Sequence, residues 1–192
     1  MQDWANQKSQ TPFQVLPVVY ETTSSGIVLE LAETQAIERY LARKFSLLGS
    51  NLWEENLVSE FYSSTDAAFL SYHTRVVLAA PEVRLEEANK FYAEVLAKFI
   101  SIHEQHLKKN GDNGHYVGGK ASLADLKTSQ LIDRLTVLLP KGAQLPISAE
   151  LSPGLWKVHQ TIKNHTSLAS WHSSTRYQEL TSNTRDRFGF TQ

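Results

Sequence analysis

Along "GIVLELAETQAIERYL", residues 26–41, the spacing of apolar side chains changes once. Up to Ala32 the run is extended and rich in β-formers. From Ala36 and Ile37 onward the apolar residues recur at helical spacing. A chain with this switch builds a short sheet first and a helical body after it. The junction between the two periods carries an acid, Glu33, and a hydroxyl, Thr34.

Before the switch, "VLPVVYE" and "GIVLEL" flank the turn-like cluster "TTSSG", which reads as a β-hairpin. Pro17 lies in or beside the first strand and marks it as an edge or a special backbone position. After the switch, four helical stripes follow. The first is Ile37, Tyr40, Leu41, Phe45 and Leu48, ended by Gly49; the second is Leu57, Phe61, Thr65, Ala68 and Tyr72. The third is Ala88, Phe91, Tyr92, Val95, Phe99, Ile102 and His106, closed by "KKNGDNG". The fourth opens at Ser122 and runs Leu123, Leu126, Leu131, Leu135 and Leu138 to Pro140. Two shorter helices are expected near 153–165 and 167–180, and the tail "TSNTRDRFGF" shows no period. The expected organisation is a hairpin and one helix over residues 1–49, and an antiparallel all-α bundle over residues 50–192. A lone two-stranded hairpin is marginal, so the hairpin must rest on other structure.

Composition narrows the chemistry. Nineteen basic residues balance 20 acidic ones among 192, which argues against electrostatic binding of nucleic acid or a membrane surface. The chain has no cysteine, so disulfides, thiolate metal sites and a cysteine nucleophile are excluded. Its start, "MQDWANQKSQTP", lacks the apolar core of a secretory signal, and no apolar run approaches the roughly 20 residues of a membrane span. The expected location is cytoplasmic.

The junction has two readings. Thr34 is an ordinary N-cap type, and an acid in a first helical turn suits the helix dipole. Equally, unpaired N–H groups at a helix start seat a carboxylate, and Glu33 receives an ammonium group, which together fit an α-amino acid end.

Four stretches, in this order, resemble the cytosolic glutathione transferases, most nearly the sigma class. They are "TPFQVLPV", like the family's "PFGQ-[VIL]-PVL" with its usually cis proline; "ETQAIERYLARKF"; "GHYVGGKASLADL"; and the Trp and "RYQEL" ending. The resemblance covers nearly the whole chain. It implies a mainly α (α+β), glutathione-transferase-like fold: a shortened thioredoxin-like hairpin and helix on an all-α bundle. It also implies glutathione as ligand or co-substrate, a small hydrophobic electrophile as second substrate, a homodimer, and no metal. By position, Glu33 and Thr34 would grip the γ-glutamyl end. The Leu16 backbone, ahead of a cis Pro17, would pair with the cysteinyl part, and Trp4 and Lys8 fall near the glycyl end. Val15 stands where the family usually has Gln or Lys, Gln14 where it has Gly, and Glu33 where the sigma class has Gln.

In the family a strand, a helix and a strand precede this region, and the first strand ends near the tyrosine that activates the thiol. Here Met1 lies just ahead of Trp4, so that segment and its tyrosine are expected to be lacking, and the catalytic residue is unknown. Three explanations stay open: a lost upstream coding segment; a natural shortening that keeps the bundle as a non-catalytic interaction or scaffold module; and, ranked last, a replacement hydroxyl such as Tyr62, Tyr72 or Ser71.

Other candidates carry less. Ser122 and Asp125 have capping-box spacing, a folding role. His103 and His106 in "HEQH" lack both metalloprotease spacing and a third ligand, and read as structural. Asp66 reads as a solvated acid, or as one reaching a partner subunit's glutathione. Asn164–His165–Thr166 matches a glycosylation acceptor without a secretion signal.

Overall fold

The computed structural model describes residues 6–190. The chain divides into two compact units, residues 1–47 and 48–192.

In the first unit a 3₁₀ turn, Lys8–Gln10, precedes an antiparallel hairpin of β1 (Val18–Thr22) and β2 (Val28–Ala32). Register runs from Val18 opposite Ala32 to Thr22 opposite Val28. Thr23 closes the turn: its N–H donates to the Ile27 carbonyl at 2.8 Å, and its Oγ1 accepts from the Ile27 N–H at 3.0 Å. Gly26 sits at φ +82 inside that turn, where a Cβ would be strained. Helix α1 (Thr34–Lys44) follows directly. Successive strand residues point to opposite faces. Glu21 therefore takes hydrogen bonds from Tyr40 and Lys44 of α1, both at 2.7 Å, while Tyr20 on the other face bonds Glu30 at 2.8 Å. Hydrogen bonds from Lys44 and then Tyr40 hold the Glu21 carboxyl below its ordinary pKa.

The first stripe is only partly buried. Ile37 and Leu48 are inside, but Leu41 and Phe45 are exposed, and Ala42 takes a buried place instead. The helix ends at Lys44 and Ser46 turns at φ 57, which takes Phe45 off the helical face.

The second unit is helical: α2 (Leu52–Tyr72), α3 (Arg84–Phe91), α4 (Ala97–Lys109), α5 (Leu123–Val137), α6 (Pro153–Lys163), α7 (Thr166–His172) and α8 (Thr175–Arg187). Single π turns continue α2 (His73–Val77) and join α3 to α4 (Tyr92–Leu96). The second π turn corrects the third stripe. One extra residue per turn rotates the buried face, so Leu96, Phe99, His103 and Leu107 are inside and Ile102 is exposed. His103, rather than His106, holds the core position.

Helix α5 is the centre of this unit and packs on α2 and α6. It is buried on most of its circumference, polar residues included, so those must find partners. Thr128 lies 3.1 Å from Thr65, and Ser129 lies 3.0 Å from His159 Nδ1. Asp125 completes the expected capping box: it accepts from the Ser122 N–H and the Tyr116 N–H, each at 2.8 Å. The N-terminus of α6 is capped from α4, where Glu104 accepts from the N–H groups of Gly154 and Leu155 at 2.9 and 2.7 Å. A Cβ on Gly154 would stand 2.9 Å from that carboxylate and 3.2 Å from Leu107, so the close approach requires glycine.

The end of the chain departs from expectation. The "TSNTRDRFGF" tail is not aperiodic coil: α8 runs through most of it. Tyr177, Leu180, Thr181 and Thr184 do share one face, but half of that face is threonine, and an apolar count misses it. Thr181 and Thr184 return their hydroxyls to the carbonyls four residues back.

Candidate functional site

The sequence-derived site residues that the structure describes all belong to the first unit; Trp4 lies outside the described residues. Pairing of Val18 with Ala32 sets the geometry. Leu16 and Pro17 directly precede the first of these residues, and Glu33 and Thr34 directly follow the second. The two segments therefore come together at one end of the hairpin. Lys8 sits in the 3₁₀ turn, tied locally by the Thr11 hydroxyl donating to its carbonyl at 2.9 Å, and no hydrogen bond joins it to the hairpin end.

The Leu16–Pro17 peptide is cis, as the resemblance implied. Among the described residues, the Leu16 N–H and C=O make no hydrogen bond, and its side chain is exposed. Glu33 is the N-cap of α1, and Thr34 is the first helical residue rather than the cap. Glu33 stands at φ 72, ψ 120, outside the allowed regions of an ordinary side chain, and its side chain makes no capping bond. Its carboxylate takes no hydrogen bond or ion pair among the described residues, and it stands at the N-terminus of an 11-residue helix. Gln14 also has a positive φ, 54, which explains physically why a glycine is usual at that place.

Two of the three replacement hydroxyls are core groups. Tyr62 and Tyr72 are fully buried in the second unit, and the Tyr72 hydroxyl donates to the Leu138 carbonyl at 2.6 Å. Burial raises the Tyr72 pKa far above its usual value, which keeps that phenol neutral.

His103 is also a core residue. Its ring nitrogens lie 2.9 Å from Ser64 Oγ and 2.6 Å from the Tyr116 hydroxyl, and burial pushes its pKa down to about 3. No group of three or more His, Cys, Asp or Glu residues suited to a metal ion occurs among the described residues. Asp66 is neither solvated nor free: Lys127, itself buried, pairs with it at 2.9 Å.

Sequence reasoning passed over Lys127 and Arg134. They lie two turns apart on one face of α5, and Phe69 of α2 receives both cations, each 5.4 Å from the ring centroid. Paired cations on an otherwise buried helix were the available signal.

No helix among the described residues is long and apolar enough to cross a membrane. The family model "Glutathione S-transferase, C-terminal domain" matches residues 67–175. The class-mu 28 kDa glutathione S-transferase isozyme of Schistosoma japonicum is 29% identical over 140 residues, covering 71% of this chain and 66% of its own. A probable glutathione S-transferase of Caenorhabditis elegans is 25% identical over 183 residues, covering 90% of this chain and 80% of its own. The chain spans just under two thirds of the Schistosoma isozymes it matches, 66% and 64% for two of them. Among solved structures, the Pi-class enzyme of Onchocerca volvulus superposes with a TM-score of 0.75 at 25% identity, over 93% of this chain and 79% of that one. The sigma-class enzyme of Fasciola hepatica gives 0.75 at 19% identity, over 90% and 79%.

Proposed function

The chain belongs to the glutathione S-transferase family, and from that premise we propose that it binds glutathione through its first unit and joins the thiol of that ligand to a small hydrophobic electrophile. Its fold is glutathione-transferase-like. Each end of the tripeptide has a complementary group. The Glu33 carboxylate takes the γ-glutamyl ammonium, while the Thr34 hydroxyl and the α1 N-terminus take the neighbouring carboxylate. The Leu16 N–H and C=O, beside Pro17, pair with the cysteinyl residue as an added strand does. Lys8, together with Trp4, meets the glycyl carboxylate.

The observation that carries this reading is the unpaired acid at φ 72 on a helix N-terminus, beside unused main-chain groups of Leu16. Strained, unpaired groups at one locus support a ligand site rather than a packing role. In the reaction a thiolate attacks the electrophilic carbon, a carbon–sulfur bond forms, and the leaving group departs with its electron pair. A free thiol near pKa ~8.5 is mostly protonated at neutral pH, so a hydroxyl donor is needed to hold the thiolate. No residue of this chain is assigned that role. The sigma-type assignment rests on "TPFQVLPV" and "ETQAIERYLARKF". A thioredoxin-like piece over 1–49, a bundle over 50–192, a homodimer and a cytoplasmic location belong to the same proposal.

Titration calorimetry with glutathione tests it. Saturable heat that Glu33→Ala abolishes is expected; no heat at millimolar glutathione removes the assignment. Turnover of a chromogenic electrophile then separates binding from transfer.

A further inference from the structure

The loop that joins α4 to α5 contains two Asn–Gly pairs, Asn110–Gly111 and Asn113–Gly114. An asparagine before glycine can lose its side-chain amide to its own chain. The glycine nitrogen attacks the asparagine Cγ, a five-membered imide closes, and ammonia leaves. Glycine puts no side chain in the way of that attack. The two pairs are alike in the sequence, and the fold makes them different.

Both asparagines clasp the loop. Asn110 Nδ2 donates to the carbonyls of His115 and Gly118, each at 2.9 Å. Asn113 Nδ2 donates to the same Gly118 carbonyl at 2.7 Å.

Their reacting groups are disposed in opposite ways. At the first pair the nucleophile is occupied, because the Gly111 N–H donates to the Lys108 carbonyl at 3.0 Å. Asn110 Oδ1 accepts no hydrogen bond among the described residues, so nothing there holds a developing negative charge. At the second pair the Gly114 N–H makes no hydrogen bond among the described residues, although Gly114 is buried. Buried main-chain N–H groups without a partner are rare. Asn113 Oδ1 accepts from the His115 N–H at 3.0 Å and lies 3.5 Å from Asn110 Nδ2. Those donors stabilise the oxyanion that forms as the nitrogen attacks. Gly114 is fixed in place: it stands at φ +88, and a Cβ there would lie 2.5 Å from Thr161 Oγ1 of α6. Asn113 is exposed, so water reaches the imide.

We propose that Asn113 is a site of spontaneous deamidation, a chemical clock in the α4–α5 loop, and that Asn110 is spared. The Gly114 nitrogen gives its proton to hydroxide and forms the bond to Cγ of Asn113. The Cγ–Nδ2 bond breaks and ammonia departs. Water then opens the imide at either carbonyl, leaving aspartate or isoaspartate at position 113. One amide and one water become a carboxylate and an ammonium ion, and nothing is oxidised or reduced. The new carboxylate cannot donate to the Gly118 carbonyl, so one arm of the clasp is lost and two oxygens face each other. The site lies within the second unit and takes no part in the proposed glutathione binding.

Peptide mapping by mass spectrometry tests it on the whole wild-type chain, aged in mildly alkaline buffer and, in parallel, in urea. The quantity read is the conversion rate at Asn113 divided by that at Asn110. In the folded chain this ratio is expected to exceed the urea ratio about tenfold or more. A folded ratio no larger than the urea ratio overturns the proposal. So does a folded chain in which neither pair converts while urea converts both. Aspartate at 113 without isoaspartate also overturns it, because direct hydrolysis bypasses the imide. Asn113→Asp carries the carboxylate from the start, and trypsin is expected to cut it after Lys109 faster than the wild type. An unchanged cutting rate overturns the loss of the clasp.

Discussion

Val18 faces Ala32 across the hairpin, and this one pairing brings Pro17 and Glu33 to the same end of the sheet. Neither residue is informative alone. Together they place an unpaired carboxylate, a helix N-terminus and the idle main chain of Leu16 at one locus.

Glu33 holds a backbone conformation that suits glycine. Glu33→Gly is expected to raise stability by about 1 kcal/mol while weakening glutathione binding about tenfold or more. Urea denaturation and calorimetry on the same preparation read the two effects. Gln14→Gly, at φ 54, serves as the control: it is expected to gain stability with no loss of binding.

Asp125 is fully buried and accepts from two main-chain N–H groups and the Ser122 hydroxyl. Asp125→Ala leaves those donors without acceptors inside the helical unit. A loss of about 3 kcal/mol or more is expected in urea unfolding, with no new ligand preference. A loss below about 1 kcal/mol contradicts the capping role.

The Lys127–Asp66 pair joins a buried cation to a partly buried acid. Removing only the acid strands the cation, so Asp66→Ala is expected to cost about 3 kcal/mol. The double variant Asp66→Ala with Lys127→Met is expected to recover most of that loss. Thermal unfolding of wild type, both singles and the double gives the coupling directly.

Stability should depend on pH through His103. Its folded pKa lies near 3 against an ordinary 6.5, so the unfolded chain binds the extra proton between those values. Stability is fully present above pH 6.5 and falls as pH drops toward 3, with a slope of up to about 1.4 kcal/mol per pH unit. His73 and His159, also lowered chiefly by burial, act in the same direction. In His103→Gln the slope is expected to flatten. Denaturant midpoints measured across this window check it, and an unchanged slope refutes the assignment.

Much of this protein was legible in its residues because local rules wrote it. The change of period at Ala32, the hairpin turn at Thr23–Gly26 and the box of Ser122 and Asp125 depend on neighbours within a few positions. What is local in the chain can be read along it. The third stripe was misread because a π turn between Phe91 and Phe99 moves the buried face from Ile102 to His103, and no single residue type announces an extra residue in a turn. The second half of helix α8 was missed because threonines make up half its inward face.

The tertiary structure alone decided the rest. Sequence could name Glu33, but not that it stands at a positive φ; it passed over Arg134, because nothing along the chain shows that this guanidinium meets no carboxylate among the described residues. Whether a charge is answered depends on which distant segments fold against it, here Phe69, Phe188 and an Asp133 already taken by Lys163. Pairing and desolvation belong to the assembled three-dimensional set, and no order of residues along the chain fixes them in advance.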